Sequence, residues 1–229
     1  MSLIFDFLSL IYPKICQACG KSLFRNEHIL CMKCKHHLPL ARFSGDHKNP
    51  AAQVFWGRVP TVMVTTAFLY NKGNAIQQLI HNFKYRGMRD IGVFLGEELG
   101  RVISENPSHH DITHIIPVPL HPKKQKKRGF NQSEIIARGI AGNINAECDT
   151  SVLYRKSFSG TQTRKSKFQR WENVENIFSI KNEKHIKNKH ILLVDDVITT
   201  GATIEACAQC LLRIEGVRLS IAAVAFTRT

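Results

Sequence analysis

The sequence contains few acidic residues and no apolar run long enough to cross a bilayer. Its 229 residues include 18 Asp and Glu against 32 Lys and Arg, which gives a formal net charge of +14. The apolar run at residues 3–12 is too short for a transmembrane helix and lacks the basic flank of a secretory signal. We therefore expect a cytoplasmic protein in which residues 3–12 form a packed helix. A location at the inner face of the membrane would require a partner.

The positive charge is concentrated in three stretches, at residues 121–128, 155–170 and 181–190. Clustered Lys and Arg side chains attract polyanions, and with nucleic acid the affinity comes from counterion release. Nucleic acid is therefore one expected class of partner. A solvated surface that only keeps the protein soluble explains the same composition, and the sequence leaves both interpretations open.

A stretch of the chain, residues 191–203, passes from aliphatic residues into two adjacent carboxylates, Asp195 and Asp196. Residues 191–194 suit a strand that is buried on both faces of a parallel sheet. The carboxylates would then emerge at its carboxyl end, where open α/β sheets hold ligands. The turn that follows consists of Thr199, Thr200, Gly201, Ala202 and Thr203. Its glycine permits close approach, and the amides of the next helix N-terminus favour an anion such as a phosphate monoester.

The two carboxylates complement this phosphate site. They can accept hydrogen bonds from vicinal hydroxyls or hold a divalent cation through water. The ligand implied by the whole stretch therefore carries both ribose and phosphate. A simpler interpretation is a strand-to-helix turn in which one Asp caps the helix, but that role needs only one carboxylate.

The cysteines predict a metal site near the N-terminus. Cys16 and Cys19 form one C-x-x-C pair, and after eleven residues Cys31 and Cys34 form a second. Four thiolates at this spacing are typical of structural zinc, because they leave no coordination position open for water or substrate. Disulfides are the alternative. The odd total of seven cysteines and the lack of a secretory signal favour a reducing compartment instead.

A basic, proline-marked loop is predicted at residues 119–130. It would leave the carboxyl end of a strand in the same sheet as Asp195, so it would open toward the same crevice. Lys123 and Arg128 are candidates for contact with pyrophosphate, and Arg128 is the better one because its guanidinium fork suits phosphate oxygens. A lysine-rich surface turn is the alternative. The polar segment at residues 157–171 is predicted to be a mobile lid.

Strands and amphipathic helices alternate along the rest of the chain. Apolar residues recur with helical spacing at residues 74–85 and 90–104, and Asn131 with Glu134 resembles a capping box at the start of another helix. This alternation predicts an α/β fold, a mostly parallel sheet with helices on both faces. We divide the chain into a zinc-binding module at residues 1–45 and a main domain at residues 53–229.

Four segments together resemble the ComF family, the ComFC-type competence proteins with a type I phosphoribosyltransferase-like domain. They are the two cysteine pairs, the run H-I-I-P-V-P-L-H-P-K-K-Q-K-K-R-G-F-N-Q at residues 114–132, a T-x-x-R segment from Thr161, and V-D-D-V-I-T-T-G-A-T at residues 194–203. The last one resembles the phosphoribosyl pyrophosphate signature. The resemblance implies a type I phosphoribosyltransferase fold. For some members it also implies a role in moving transforming single-stranded DNA into the cytoplasm alongside a helicase.

Three functions remain open on this basis. We favour assistance in single-stranded DNA uptake by a protein with a phosphoribosyl pyrophosphate-type site. The second is a phosphoribosyltransferase acting on an unidentified nitrogen base. In that enzyme, Asp195 and Asp196 would be catalytic residues that hold the ribose hydroxyls, the turn at residues 199–203 would bind the 5-phosphate, and Arg128 with Mg²⁺ would bind the leaving pyrophosphate. The third is a regulator that senses phosphoribosyl pyrophosphate. The sequence offers no recognisable aromatic pocket for a nucleobase.

Overall fold

A five-stranded sheet forms the centre of the computed structural model, which describes residues 13–41, 43, 46–156 and 177–227. The strand order is β1-β7-β6-β2-β3, and every neighbouring pair is parallel. The strands are β1 Val64–Leu69, β2 Ile112–Pro117, β3 Glu147–Cys148, β6 His190–Ile198 and β7 Arg218–Phe226. A separate antiparallel pair consists of β4 Leu153–Arg155 and β5 Phe178–Ile180. The predicted parallel α/β architecture is thereby confirmed.

Helices cover both faces of the sheet. They are α1 Met32–His36, α2 Pro50–Gln53, α3 Ala75–Arg86, α4 Arg89–Ser104, α5 Pro122–Arg128, α6 Gln132–Ala141 and α7 Ala202–Leu211, with short 3-10 turns at Pro107–His109 and Glu183–His185. Helices α3, α4 and α6 share one apolar core with the first face of the sheet. Helices α2 and α7 share a second core with the other face. Among the described residues, no helix is long and apolar enough to cross a membrane.

Local sequence sets where the main helices begin. Helix α3 starts at Asn74, whose side chain accepts a hydrogen bond from the Gln77 amide at 2.9 Å. The Asn131 side chain caps α6 by accepting from the Ser133 amide at 3.2 Å. The capping-box prediction was wrong in one respect, because the Glu134 carboxylate pairs with Arg138 one turn further on, at 2.9 Å, and not with the cap. An i,i+4 ion pair is the competing use of a first-turn carboxylate.

Glycines set the close approach of α4 and α6. A Cβ added to Gly96 would lie 2.4 Å from the Ile136 carbonyl oxygen and 3.0 Å from the Gly139 Cα. A Cβ on Gly139 would lie 2.8 Å from the Val93 carbonyl oxygen. The two helices therefore pack backbone to backbone at these glycines.

The N-terminal cysteine module packs on the main domain and also extends its sheet. Cys16, Leu30 and Leu38 belong to the same buried cluster as α3 and α4. Further along, Leu40 forms an antiparallel bridge with Phe68 at the free edge of β1. The unpaired backbone groups of an edge strand can pair with another chain, and this segment covers that edge. The division of the chain near residue 45 stays a prediction.

The chain connections around β2 and β6 run in opposite directions. From β2 the chain passes through α6 to β3, whereas from β6 it passes through α7 to β7 on the other side of the strand order. Adjacent parallel strands with opposed connections leave a space outside their carboxyl ends, and open α/β sheets bind ligands there. We call this space the switch-point crevice. It positions the candidate site.

Two local predictions differ from the structure, and two others lie outside the described residues. Strand β6 continues through both carboxylates to Ile198, so it is longer than residues 191–194. The basic segment predicted as a loop forms helix α5, because His121 caps it and Pro122 occupies its first position. The helix predicted at residues 3–12 and the lid predicted at residues 157–171 fall outside the part of the chain that the structure describes.

Candidate functional site

The acidic pair lies near the carboxyl end of β6 and contacts two different helices. The Ser133 hydroxyl, at the start of α6, donates to Asp195 Oδ1 at 2.9 Å. The Lys84 ammonium, in the last turn of α3, lies 2.7 Å from Asp196 Oδ2. Both helices pack on the same face of the sheet, so neighbouring carboxylates reach partners on two different helices there. The pair therefore links both helices to the floor of the switch-point crevice.

The carboxyl group of Asp195 has a raised pKa. Burial raises the pKa of its carboxyl group to about 7, and the nearby charge of Asp196 acts in the same direction. Hydrogen bonds from the Asp196 amide, at 2.8 Å, and from Ser133 oppose this rise. The residue as a whole is only partly buried. A carboxyl group with a pKa near neutrality can accept or donate a proton under physiological conditions.

The turn after β6 is shaped by Gly201. Its φ of 74° lies in the left-handed region, and an added Cβ would lie 2.7 Å from Val54 Cγ1 and 2.9 Å from Phe55 Cε1. Glycine is thus required both by the backbone angle and by close packing. The turn ends at the N-terminus of α7, where the first amides of a helix favour an anion. The flanking residues Thr199, Thr200, Ala202 and Thr203 are exposed.

Arg58 braces this turn from a distant part of the sequence. Its guanidinium donates to the Thr200 carbonyl oxygen at 3.2 Å and to the Val54 carbonyl oxygen at 2.9 Å. It also forms an ion pair with Glu205 in the first turn of α7. Sequence reasoning missed Arg58, because a separation of 142 positions from Thr200 leaves no local pattern.

Helix α5 brings the predicted basic residues to the same end of the sheet. It follows the carboxyl end of β2, and Asn131 Nδ2 donates to the Val118 carbonyl oxygen at 3.0 Å, which ties the segment back to that strand. Arg128 Nη1 donates to Gln132 Oε1 at 2.8 Å, and its guanidinium carbon lies 5.4 Å from the Tyr85 ring centroid. Lysines 123, 124, 126 and 127 are exposed.

A cavity of about 610 Å³ adjoins the acidic pair. We call it the α3 cavity, because α3 supplies most of its lining, including Lys84 and Tyr85. Thr199, from the turn after β6, also lines it. Lys84 lies in this wall and reaches Asp196, so the two sites share this side chain.

The four N-terminal cysteines come together as predicted. Their sulfur atoms all lie within 4.8 Å of one another, and the Cys19 and Cys31 sulfurs are 3.8 Å apart. Four sulfurs bound tetrahedrally at about 2.3 Å from zinc would be roughly 3.8 Å apart. Burial opposes ionisation of Cys16, but the amides of Cys31, Cys19 and Ala18 outweigh it and lower the pKa of Cys16 to about 6. Burial and the neighbouring sulfurs raise the pKa of Cys34, so the four thiols do not ionise alike without a metal. The donor set therefore fits structural zinc.

Comparisons with known proteins agree with this architecture. The phosphoribosyl transferase domain model matches residues 126–229. DNA utilization protein YhgH of Escherichia coli K12 is 28% identical over 218 residues, which cover 90% of this chain and 87% of that protein. Competence protein ComFC of Bacillus subtilis is 24% identical over 202 residues, 87% of this chain and 78% of that protein. Competence protein F of Haemophilus influenzae is 29% identical over 140 residues, 59% and 61% of the two chains.

This chain is a homologue of these DNA utilization and competence proteins. Its C-terminal half is a phosphoribosyltransferase-type domain, and the matched region contains Arg128, both carboxylates of β6 and the turn after them. Among solved structures, glutamine phosphoribosylpyrophosphate amidotransferase from B. subtilis aligns with a TM-score of 0.43 and 18% identity, over 62% of this chain and 30% of that one.

The protein also carries a polar cluster at the opposite end of its central strands. His190 Nδ1 lies 2.6 Å from Asp111 Oδ1, and His190 Nε2 lies 2.9 Å from Ser220 Oγ. This order of Asp, His and Ser resembles a hydrolytic triad. Ser220 is fully buried, however, so no substrate can reach its hydroxyl. The cluster therefore joins the amino ends of β6 and β7 and serves stability.

Proposed function

We propose that this protein binds phosphoribosyl pyrophosphate, or a closely related sugar phosphate, in the switch-point crevice and assists the uptake of single-stranded DNA. One observation carries the proposal. Two carboxylates and an anion-favouring helix N-terminus meet at the carboxyl end of β6, beside the opening between β2 and β6. A ligand that combines vicinal hydroxyls with a phosphate matches this arrangement of acceptors and donors.

Each part of the ligand has a proposed partner. The turn at residues 199–203 receives the 5-phosphate, and the carboxylates of Asp195 and Asp196 accept hydrogen bonds from the ribose hydroxyls. Lys123 and Arg128 bind the pyrophosphate. Mg²⁺ would be held through water near the carboxylates and would neutralise the charge of the pyrophosphate. Because Lys84 already pairs with Asp196, the ligand or its cation must share that carboxylate with an ammonium group.

The DNA part of the proposal is supported by α5 and by the relatives. YhgH is named a DNA utilization protein and ComFC a competence protein, and both match about nine-tenths of this chain. Helix α5 follows the carboxyl end of β2 and exposes four lysines. Such a surface attracts a phosphate backbone without reading its sequence. A helicase remains a proposed partner through the family resemblance alone.

Calorimetric titration with phosphoribosyl pyrophosphate and Mg²⁺ tests the sugar-phosphate site. We expect binding by the wild type and at least tenfold weaker binding by Asp196→Asn, which removes charge at a strand end without removing packing. Glu105→Gln, an exposed carboxylate at the end of α4, is the matched control and should bind as the wild type does. Absence of binding to the wild type at millimolar ligand would overturn the proposal.

Single-stranded DNA binding is tested through its dependence on salt. Each phosphate neutralised contributes about 0.7 to the slope of log affinity against log salt concentration. Replacing the four α5 lysines by Ala should flatten the slope and weaken binding about equally for all sequences. Prior saturation with phosphoribosyl pyrophosphate should reduce DNA binding if the two ligands share the crevice. Unchanged DNA affinity in the quadruple variant at low salt would remove α5 as the DNA surface.

A phosphoribosyltransferase is the second candidate, favoured by the pKa of about 7 at Asp195. A proton-exchanging carboxyl group beside the proposed ribose site suits a reaction in which a base displaces pyrophosphate. Release of pyrophosphate should then depend on an added nitrogen base and be lost in Asp195→Asn. If no base in a panel of purines and pyrimidines elicits release, while the ligand still binds, the binding function stands alone.

A further inference from the structure

We propose that Tyr85 and His81 form a stacking platform for a nucleobase in the α3 cavity. This inference rests on the proposed sugar-phosphate site and adds a ligand class to it. The two rings lie one helical turn apart on α3, with centroids 4.9 Å apart and planes inclined at 45°. Tyr85 is 66% exposed, whereas most large aromatic side chains are buried. An exposed ring beside a cavity is available to an aromatic ligand.

Cations surround the platform. The Arg128 guanidinium lies 5.4 Å from the Tyr85 ring, and Arg86 and Lys84 also line the cavity. Rings combined with cations are typical of surfaces that bind single-stranded nucleic acid, where bases stack and phosphates meet the charges. A purely apolar partner would gain nothing from these cations. The chemistry therefore favours a base that carries or adjoins a phosphate.

Amide side chains supply hydrogen-bonding groups for the edge of a base. Gln77 and Gln78, one turn before His81 on α3, line the same cavity. Gln77 Oε1 accepts from the Gly73 amide at 2.6 Å, which holds this side chain at the wall. An amide offers both donors and an acceptor, as base edges require. The volume of about 610 Å³ leaves ample room for a purine ring.

The position of the cavity connects the base to the sugar-phosphate site. Thr199 belongs to the turn proposed to bind phosphate and also lines the cavity. Lys84 lies in the cavity wall and reaches Asp196 at 2.7 Å. A nucleotide with its phosphate at the turn and its ribose at the carboxylates would therefore extend its base toward α3. The base can belong to a free nucleotide or to the end of a DNA strand.

Calorimetry with three probes tests the inference: ribose 5-phosphate, adenosine 5′-monophosphate and a short oligo-dT strand with a 5′-phosphate. The wild type should bind at least one base-containing probe about tenfold or more tightly than ribose 5-phosphate. Tyr85→Leu should abolish that advantage and leave ribose 5-phosphate binding unchanged. Tyr85→Phe should keep it, because the ring remains. Phe24→Leu, at an exposed aromatic residue of the cysteine module, is the control and should change nothing.

The outcomes separate the platform from the site on which it rests. If none of the three probes binds, the proposed sugar-phosphate site fails. If ribose 5-phosphate binds and neither base-containing probe binds more tightly, or if Tyr85→Leu retains the advantage, the platform is refuted while the site stands. A Tyr85-dependent advantage for the mononucleotide assigns the cavity to a free base or nucleotide. The same advantage for oligo-dT alone assigns it to a base within a strand.

Discussion

Asp195 should lower the stability of the unliganded protein at neutral and alkaline pH. Burial and the charge of Asp196 raise the pKa of its carboxyl group from 3.8 to about 7. Between these values the folded state holds a proton that the unfolded state releases, so the contribution of Asp195 to stability falls as the pH rises from about 4 to 7. A pKa difference of about 3 corresponds to about 4 kcal/mol, an upper bound because part of the residue is accessible.

The substitution Asp195→Asn removes this titration and keeps the shape. The Asn side-chain oxygen can still accept from the Ser133 hydroxyl and from the Asp196 amide. We therefore expect the variant to be more stable than the wild type by up to about 4 kcal/mol at pH 8 and by only about 1.5 kcal/mol at pH 5. For a chain of this length, the gain at pH 8 corresponds to roughly 10 °C in melting temperature.

Urea unfolding at the two pH values measures the difference. Asp196→Asn is an informative comparison, because it loses the ion pair with Lys84 but also relieves the charge on Asp195, so its net effect should be smaller. The reasoning is refuted if Asp195→Asn is less stable than the wild type at pH 8, or if its gain is the same at both pH values. A carboxylate that costs stability in the free protein is typical of a functional site.

Three further predictions concern other parts of the molecule. Burial lowers the pKa of His109 to about 4, so stability should fall by up to about 3 kcal/mol as the pH drops from 6.5 to 4, and urea unfolding of His109→Asn should show a flatter pH dependence. Gly201→Ala should cost about 1–2 kcal/mol through its positive φ and its contact with Val54, and should weaken sugar-phosphate binding in calorimetry. Cys16→Ser should lose zinc, and elemental analysis together with thermal unfolding will show metal loss and destabilisation. A fully folded wild type that contains no zinc when purified without tags or chelators would contradict the last prediction.

The motifs of the candidate site were recognisable because each is local in sequence. The paired C-x-x-C spacing predicted the cysteine cluster, since two tight turns suffice to present four sulfurs. The aliphatic run predicted a strand, the two carboxylates predicted its carboxyl end, and Gly201 predicted the turn after it. The alternation of strands and helices predicted the parallel sheet because periodicity reports which face of each element is buried.

The neighbours of these motifs were decided only by tertiary structure. Ser133 reaches Asp195 across 62 residues of sequence, and Arg58 reaches Thr200 across 142. Strand order, which no local pattern encodes, places β6 beside β2 and creates the crevice. The position of Tyr85 was missed for the same reason. In the sequence it is one residue of an amphipathic helix, and only the fold places it beside Arg128 and in a cavity that Val197 and Thr199 also line. Local sequence thus determined which chemical groups are present, whereas long-range packing determined which of them meet.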